Sequence, residues 1–275
     1  MAMSFQHIIY ARRDSIAQIT LNRPARANAL NQTMLDELRA ALDAAEGDAD
    51  VRVVIVRGSG NAFSSGFDLK EQMDRCPTGT PQWEPILRRD FETVMRFWHL
   101  SKPTIAAVCG ACLAGAFELA LACDLTIAAD DAFFGEPELK FGAGIVVMLL
   151  PWLIGPKIAK EIILTGEDRL RAARAHALGI VNRVVPAVEL DQTALAVARH
   201  LAAIDPELVK RTKRSINHSF EARGMLDALE EALAIDLAIE GAGSPDKIRF
   251  MEIARRDGLK AALRWRDARF PTGAS

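Results

Sequence analysis

Phe63-Ser64-Ser65-Gly66-Phe67-Asp68-Leu69-Lys70 follows a compact β-branched run, Val51 to Val56, and the turn Gly58-Ser59-Gly60. A glycine turn leaving a strand can aim a backbone N–H outward, and a lysine just beyond it can meet a phosphate. A second such turn lies at Ala114-Gly115-Ala116, where a helix is expected to begin. The N–H groups of a first helical turn lack intrahelical partners, and the helix dipole there favours negative charge. Small residues also leave room for a ligand to reach the backbone. Together the two turns are suited to holding an oxyanion; taken singly, each is equally what close helix packing or an ordinary chain reversal requires.

Carboxylates follow the second turn. Glu118 shares its predicted helical face with Ala114, Gly115, Leu121, Ala122 and Leu125, and has no polar company there. A carboxylate in that setting needs a partner or a raised pKa, and such groups cluster at functional sites; the alternative is a short helix with an exposed end. Glu136 and Glu138 flank Pro137, which holds Glu136 extended and stiffens the segment. In isolation that segment reads as a surface loop with two solvated acids.

Outward from these segments, strands are expected at Phe5 to Tyr10 and Ala17 to Leu21, joined by a turn around Arg12 to Asp14. Asn31 caps a helix with Met34, Leu35, Leu38 and Leu42 inward. Asp74 to Pro85, with three prolines and Gly79, reads as a mobile surface loop that could act as a lid. A helix carrying Phe91, Val94 and Trp98 inward follows. Strands at Thr104 to Val108 and Leu125 to Ala128 then flank the helix Gly115 to Cys123. Alternating apolar strands and helices imply an α/β core with both sheet faces covered. After Pro186 only helices are expected: Leu190 to Ala203, Pro206 to Phe220, Met225 to Glu240 and Pro245 to Arg266. The composition shift near Pro206 divides the chain into a core, residues 1–205, and a helical region, residues 206–275.

The chain has 275 residues, half of them hydrophobic and a quarter charged, with a formal charge of −2. That balance gives no bulk attraction to nucleic acid or anionic membrane. No stretch is long and apolar enough to span a bilayer, and the first residues lack the apolar centre of a signal peptide. A cytoplasmic protein is expected. Four cysteines fit a reducing compartment, and Cys109 and Cys112 read as buried small hydrophobes rather than a redox or zinc pair. No metal site is expected: five histidines are scattered without ligand spacing, and His176 reads as a helix-surface residue. No G-x-S-x-G elbow, dinucleotide fingerprint or P-loop occurs. Lys210, Arg211, Lys213 and Arg214 read as a solvated amphipathic face, with an RNA-contact patch as the alternative.

Taken together these segments resemble the crotonase superfamily, the enoyl-CoA hydratase/isomerase family. The resemblance runs from Ile19-Thr20-Leu21-Asn22-Arg23-Pro24 to Arg266–Phe270, and is most specific at Phe63 to Lys70, Lys102 to Ala107, Glu118 to Asp124, Phe134 to Gly142 and Leu178 to Pro186. It implies an α/β fold, a crotonase-like spiral of ββα units, with a C-terminal helical region that builds trimers or hexamers. It implies an acyl-CoA thioester substrate, coenzyme A entering as part of the substrate and no permanently bound cofactor. Phe67 and Gly115 fall on the oxyanion-hole positions. Ala27, Ser65, Asp68, Leu69 and Lys70 fall on the CoA-binding positions. Glu118 and Glu138 fall on the two carboxylates of the hydratase branch, Glu118 taking a proton from water and Glu138 delivering one to C2. The implied reaction is addition of water to a 2,3-enoyl-CoA, with 3,2-enoyl-CoA isomerisation or thioester hydrolysis as alternatives on the same site. Fatty-acid, branched amino-acid and aromatic-acid degradation would all use these residues.

Three departures bear on the substrate. Ala143-Gly144-Ile145-Val146-Val147-Met148-Leu149 replaces a longer, proline- and glycine-rich turn before Leu150-Pro151. Phe67 is bulky where the family is often smaller. Both suggest an altered acyl pocket. Trp265 stands where a basic residue is often found, weakening any phosphate contact there.

Overall fold

The computed structural model describes residues 4–270. Strand β1 (Ile8–Arg13) pairs antiparallel with β2 (Ile16–Leu21) across a tight turn in which Asp14 adopts a left-handed backbone. β1 thus extends three residues beyond the expected end at Tyr10, because the reversal needs only Asp14 and Ser15. From β2 the sheet continues in parallel through β3 (Val53–Gly58), β4 (Thr104–Val108), β6 (Leu125–Ala129) and β9 (Arg183–Val185). The central strands β3, β4 and β6 are rich in Val, Ile and Ala and almost wholly buried, as a parallel sheet covered on both faces requires. Helix α1 (Gln32–Gly47), capped by the Asn31 side chain on the Met34 N–H, packs Met34, Leu35, Leu38 and Leu42 into the main core. On the other face, α8 (Leu190–Ala202) covers Val53, Ile55, Ile105 and Ile127.

A smaller sheet stacks across successive turns of the chain. After β4 the chain bends into β5 (Ala111–Leu113), which leads into α4 (Gly115–Ala122); after β6 it bends into β7 (Phe133–Gly135), which pairs with both β5 and β8 (Leu170–Arg171). After β3, Ser64 makes one further parallel bridge to Cys112. The consequence is a register: Ser64 lies beside Cys112, and Cys112 beside Phe134. Two residues beyond these stand Gly66, Ala114 and Glu136. Parallel stacking therefore delivers the ends of three separate segments to one place.

The segment expected to be a loop, 74–85, is mostly helical. Helix α2 (Leu69–Arg75) ends at Cys76, and α3 runs Gly79–His99 with Pro85 inside it. Pro81 sits in the first turn, where a missing N–H costs nothing. Burial of Trp83 and Leu87 outweighs the bond lost at Pro85. No free-standing lid exists there.

The C-terminal helices are α9 (Pro206–Glu221), α10 (Met225–Ala242), α11 (Pro245–Asp257) and α12 (Leu259–Asp267). The last two replace one expected helix, broken at Gly258. Helix α10 lies along α3, with Arg88 of α3 paired to Glu230 at 2.8 Å. Lys213 of α9 departs from the expected solvated face: it is buried, paired with Asp124 at 2.7 Å, and donates to the Lys102 carbonyl at 3.1 Å. Cys112 is buried and Cys109 half-buried, both as free thiols. Among the described residues no helix is long and apolar enough to cross a membrane.

Candidate active site

The two turns meet. Gly66 has a positive φ, +89°, and a Cβ placed on it would lie 2.6 Å from the Ala114 Cβ and 2.7 Å from the Leu113 carbonyl oxygen. Only glycine permits this approach. Leu30 brackets Phe67: its N–H donates to the Gly66 carbonyl at 2.8 Å, and its carbonyl accepts from the Asp68 N–H at 3.0 Å. The Phe67 N–H is left facing away from that ladder, and it meets no acceptor among the described residues. The Gly115 N–H, first in α4, likewise meets none. Ala114, which precedes it, is held at φ 55°, ψ −138°, a region side chains rarely adopt. Such strain costs on the order of 1–3 kcal/mol and concentrates at functional sites. It is maintained by the Ala114 N–H on the Gly135 carbonyl, 2.8 Å, and by the Ala114 carbonyl accepting from Phe117 and Glu118. The Phe67 ring lies flush on Gly115, where even a Cβ would come within 2.2 Å of it.

One helical turn beyond Gly115 stands Glu118, which is 0 % exposed. It accepts from the Val146 N–H at 3.1 Å, and its second oxygen has no partner. Glu138 opens a short 3-10 turn, Glu138–Phe141, and is 7 % exposed; Glu136 is 1 % exposed. The solvated loop expected here is thus a buried acidic corner. Carboxylate oxygens of Glu118, Glu136 and Glu138 all lie within 4.8 Å of one another. Several ionised carboxylates cannot share so small an apolar space, so protons must reside there. Burial, then the Glu138 charge, pushes Glu118 well above the ordinary carboxyl range, against the pull of the Val147 and Val146 N–H groups. Glu136 moves the same way for the same first reason. Burial raises Glu138 to about 8.

The remaining predicted residues lie along one edge of this site. Ala27, in a left-handed conformation, presents its carbonyl to the Ser65 N–H at 2.9 Å. Buried Asn28 rivets that segment to the neighbouring turn through the Ser59 and Ala62 carbonyls, both at 2.8 Å. Ser65 and Lys70 are exposed, Lys70 beside Asp74 at 2.9 Å. Asp68 is committed: it caps α2 and pairs with Arg23 at 2.8 Å. Leu69 packs on the cluster around Phe141 and Phe250.

Asp236 was not singled out in the sequence. It is 2 % exposed, both its carboxylate oxygens lack a partner, and it presses on Gly144, where a Cβ would come within 2.0 Å of Oδ1. The signal was available: buried Met225, Leu229, Leu233, Asp236 and Glu240 form one stripe of α10 at helical spacing. Burial, then the Glu240 charge, raises Asp236 from 3.8 to about 7, with Lys247 opposing. The folded chain therefore holds this proton more tightly than the unfolded one. The resulting stabilisation is complete below about pH 4 and is lost as pH rises through about 7. Asp236→Asn cannot ionise. Its stability relative to the parent should improve by on the order of 2–4 kcal/mol between about pH 4 and pH 8.5, measured by urea unfolding at each pH. A constant difference would contradict this.

The chain is similar to known proteins along most of its length. A family model described as enoyl-CoA hydratase/isomerase matches residues 11–239. The short-chain-enoyl-CoA hydratase of Clostridium acetobutylicum is 34% identical over 240 residues, covering 85% of this chain and 88% of its own length. A crystal structure of an enoyl-CoA hydratase/isomerase from Xanthobacter autotrophicus Py2 is 69% identical, with TM-score 0.97 over 98% of this chain and 100% of that one. An enoyl-CoA hydratase structure from Mycobacterium smegmatis shares 26% identity at TM-score 0.88, covering 97% and 94%.

Proposed function

The chain belongs to the enoyl-CoA hydratase/isomerase family, and from that premise we propose that it adds water across the double bond of a 2,3-enoyl-CoA. The observation that supports this reading best is the placement of Glu118 and Glu138, buried with their oxygens within 4.8 Å, with Glu118 one helical turn beyond the unpartnered Gly115 N–H. The thioester oxygen accepts from the Phe67 and Gly115 N–H groups. Charge moving onto that oxygen as the enolate forms strengthens both bonds, the type of stabilisation for which one donor is worth about 3–4 kcal/mol. In this reading Glu118 carries the single negative charge of the acidic corner, held by the Val146 N–H, and takes a proton from water as the water oxygen attacks C3. Glu138, protonated, delivers a proton to C2. A corner that keeps protons on buried acids near neutral pH suits this division of labour, and the acids titrate as a coupled set.

The CoA moiety is assigned to the edge formed by the Ala27 backbone, Ser65, Leu69 and Lys70, with Asp68 supporting that edge through Arg23 and the α2 cap. Phe67 on Gly115 and the apolar strap Gly142–Leu149 would limit the acyl end. The test is loss of conjugated enoyl-thioester absorbance across 2-enoyl-CoA substrates of short, long and aryl-substituted acyl groups. Turnover of one subset is expected. No turnover by folded, CoA-binding protein would overturn the reading in favour of isomerase or thioester hydrolase chemistry.

A further inference from the structure

Addition of water leaves a hydratase site of this kind in the wrong protonation state. Glu118 ends with the proton it took from water and Glu138 ends without the one it gave to C2. The next turnover needs the reverse, so one proton must cross from Glu118 to Glu138. Solvent is poorly placed to carry it, since both groups are buried.

Glu136 is the third acid of the corner, unused by the reaction above. Its side chain is buried, one carboxylate oxygen has no partner, and it has oxygens within 4.8 Å of both other acids. Its position is rigid. The Glu136 N–H donates to the Glu167 carbonyl at 2.8 Å, and Gly135 is pressed on the same backbone, where a Cβ would lie 2.2 Å from the Glu167 oxygen. Titratable groups facing it are Glu118 from α4, Glu138 on its own segment and Cys112 from β5, with Asp236 of α10 acting on Glu118 and Glu138 from behind.

We propose that Glu136 is a proton-relay residue that resets the site between turnovers. The step balances. The O–H of Glu136 breaks as one forms on Glu138, and the O–H of Glu118 breaks as one forms on Glu136. The three carboxyls begin and end with two protons and one negative charge, and Glu136 is unchanged. The geometry places the two acids side by side, with carboxyl oxygens of Glu136 and Glu138 within 4.8 Å of each other and of Glu118. Glu136 touches no reacting atom; it acts through its neighbours.

This rests on the hydratase reading, and the experiment separates the two. In Glu136→Gln the amide fills the same space and can still donate to Glu138, but it cannot pass a proton on. Rapid-quench hydration at excess 2-enoyl-CoA should show a first turnover within a few-fold of wild type. A steady-state rate at least about 10-fold lower should follow, giving a burst of one product per site with little change in KM. Glu136→Asp should recover part of the steady-state rate. Equal loss in both phases would make Glu136 merely structural and overturn the relay, as would wild-type steady-state turnover. Wild-type protein inactive on every enoyl-CoA would instead remove the hydratase reading, and the relay with it.

Discussion

Glu118→Gln is expected to lower kcat by at least about 100-fold, the scale of a lost general base, with KM changed only a few-fold. Glutamine retains the side chain's shape, and its amide oxygen can still accept from the Val146 N–H that now binds Oε1 at 3.1 Å. What it cannot do is take a proton from water. Glu138→Gln should cost at least as much, by removing the acid. The two losses should not add in the double variant, because they belong to one proton transfer sequence. Their pH profiles should differ. The wild-type rate should fall as pH passes about 8, where Glu138 gives up its proton in the free protein. That limb should vanish in Glu138→Gln and persist in Glu118→Gln. Neither variant should be less stable than wild type at alkaline pH, since each replaces a buried acid raised by burial with a group that cannot ionise. Near-wild-type turnover of Glu118→Gln would exclude it as the base.

Gly66→Ala is expected to be as damaging without touching an ionisable group. The added methyl would need to sit 2.6 Å from the Ala114 Cβ and 2.7 Å from the Leu113 carbonyl oxygen, on a backbone whose φ of +89° already disfavours it. Neither neighbour is the flexible end of a side chain, so the two turns must separate. Phe67 and Gly115 then move apart, and a thioester oxygen can reach only one N–H well. Loss of one such donor corresponds to about 10²–10³ in kcat. The check is kcat across the substrate series together with a thermal melt. A folded variant with unchanged kcat would show that the turns need not touch.

How much of this was written locally in the chain differs from residue to residue. Glu118 stood out because a helix has a period, and an acid among alanines and leucines breaks it. Asp236 breaks the stripe of α10 in the same way and could have been found by the same rule. Glu138 offered no such signal: a loop has no period, and only the resemblance to a family raised it. Burial of Glu136 and Glu138 arises from stacking Ser64, Cys112 and Phe134 across strands about 20 to 50 residues apart, and no single segment carries that register. Lys213 carries no local sign of its burial for a related reason. Its neighbours in sequence are basic and solvated, but its partner Asp124 lies 89 residues away. The 79–85 stretch misled because proline signals a loop except in a first helical turn, and because the burial of Trp83 is a tertiary fact. The strand and helix order was legible since apolar runs, caps and breakers are local.

The apolar strap Gly142–Leu149 has two landlords. Val146 fastens it to Glu118, while Ser244 donates to the Gly142 carbonyl at 2.7 Å and Asp236 bears on Gly144. Its course is thus set jointly by α4 and by the C-terminal helical region, whose contacting residues Asp236 and Ser244 lie far along the chain. Transplanting this strap alone into a relative, or a relative's strap into this chain, would seat a part in a cradle cut for another. Acyl preference here would travel as a matched set, Gly142–Leu149 with α10 and the start of α11, and engineering that treats the loop as a free cassette would be working with half of the unit.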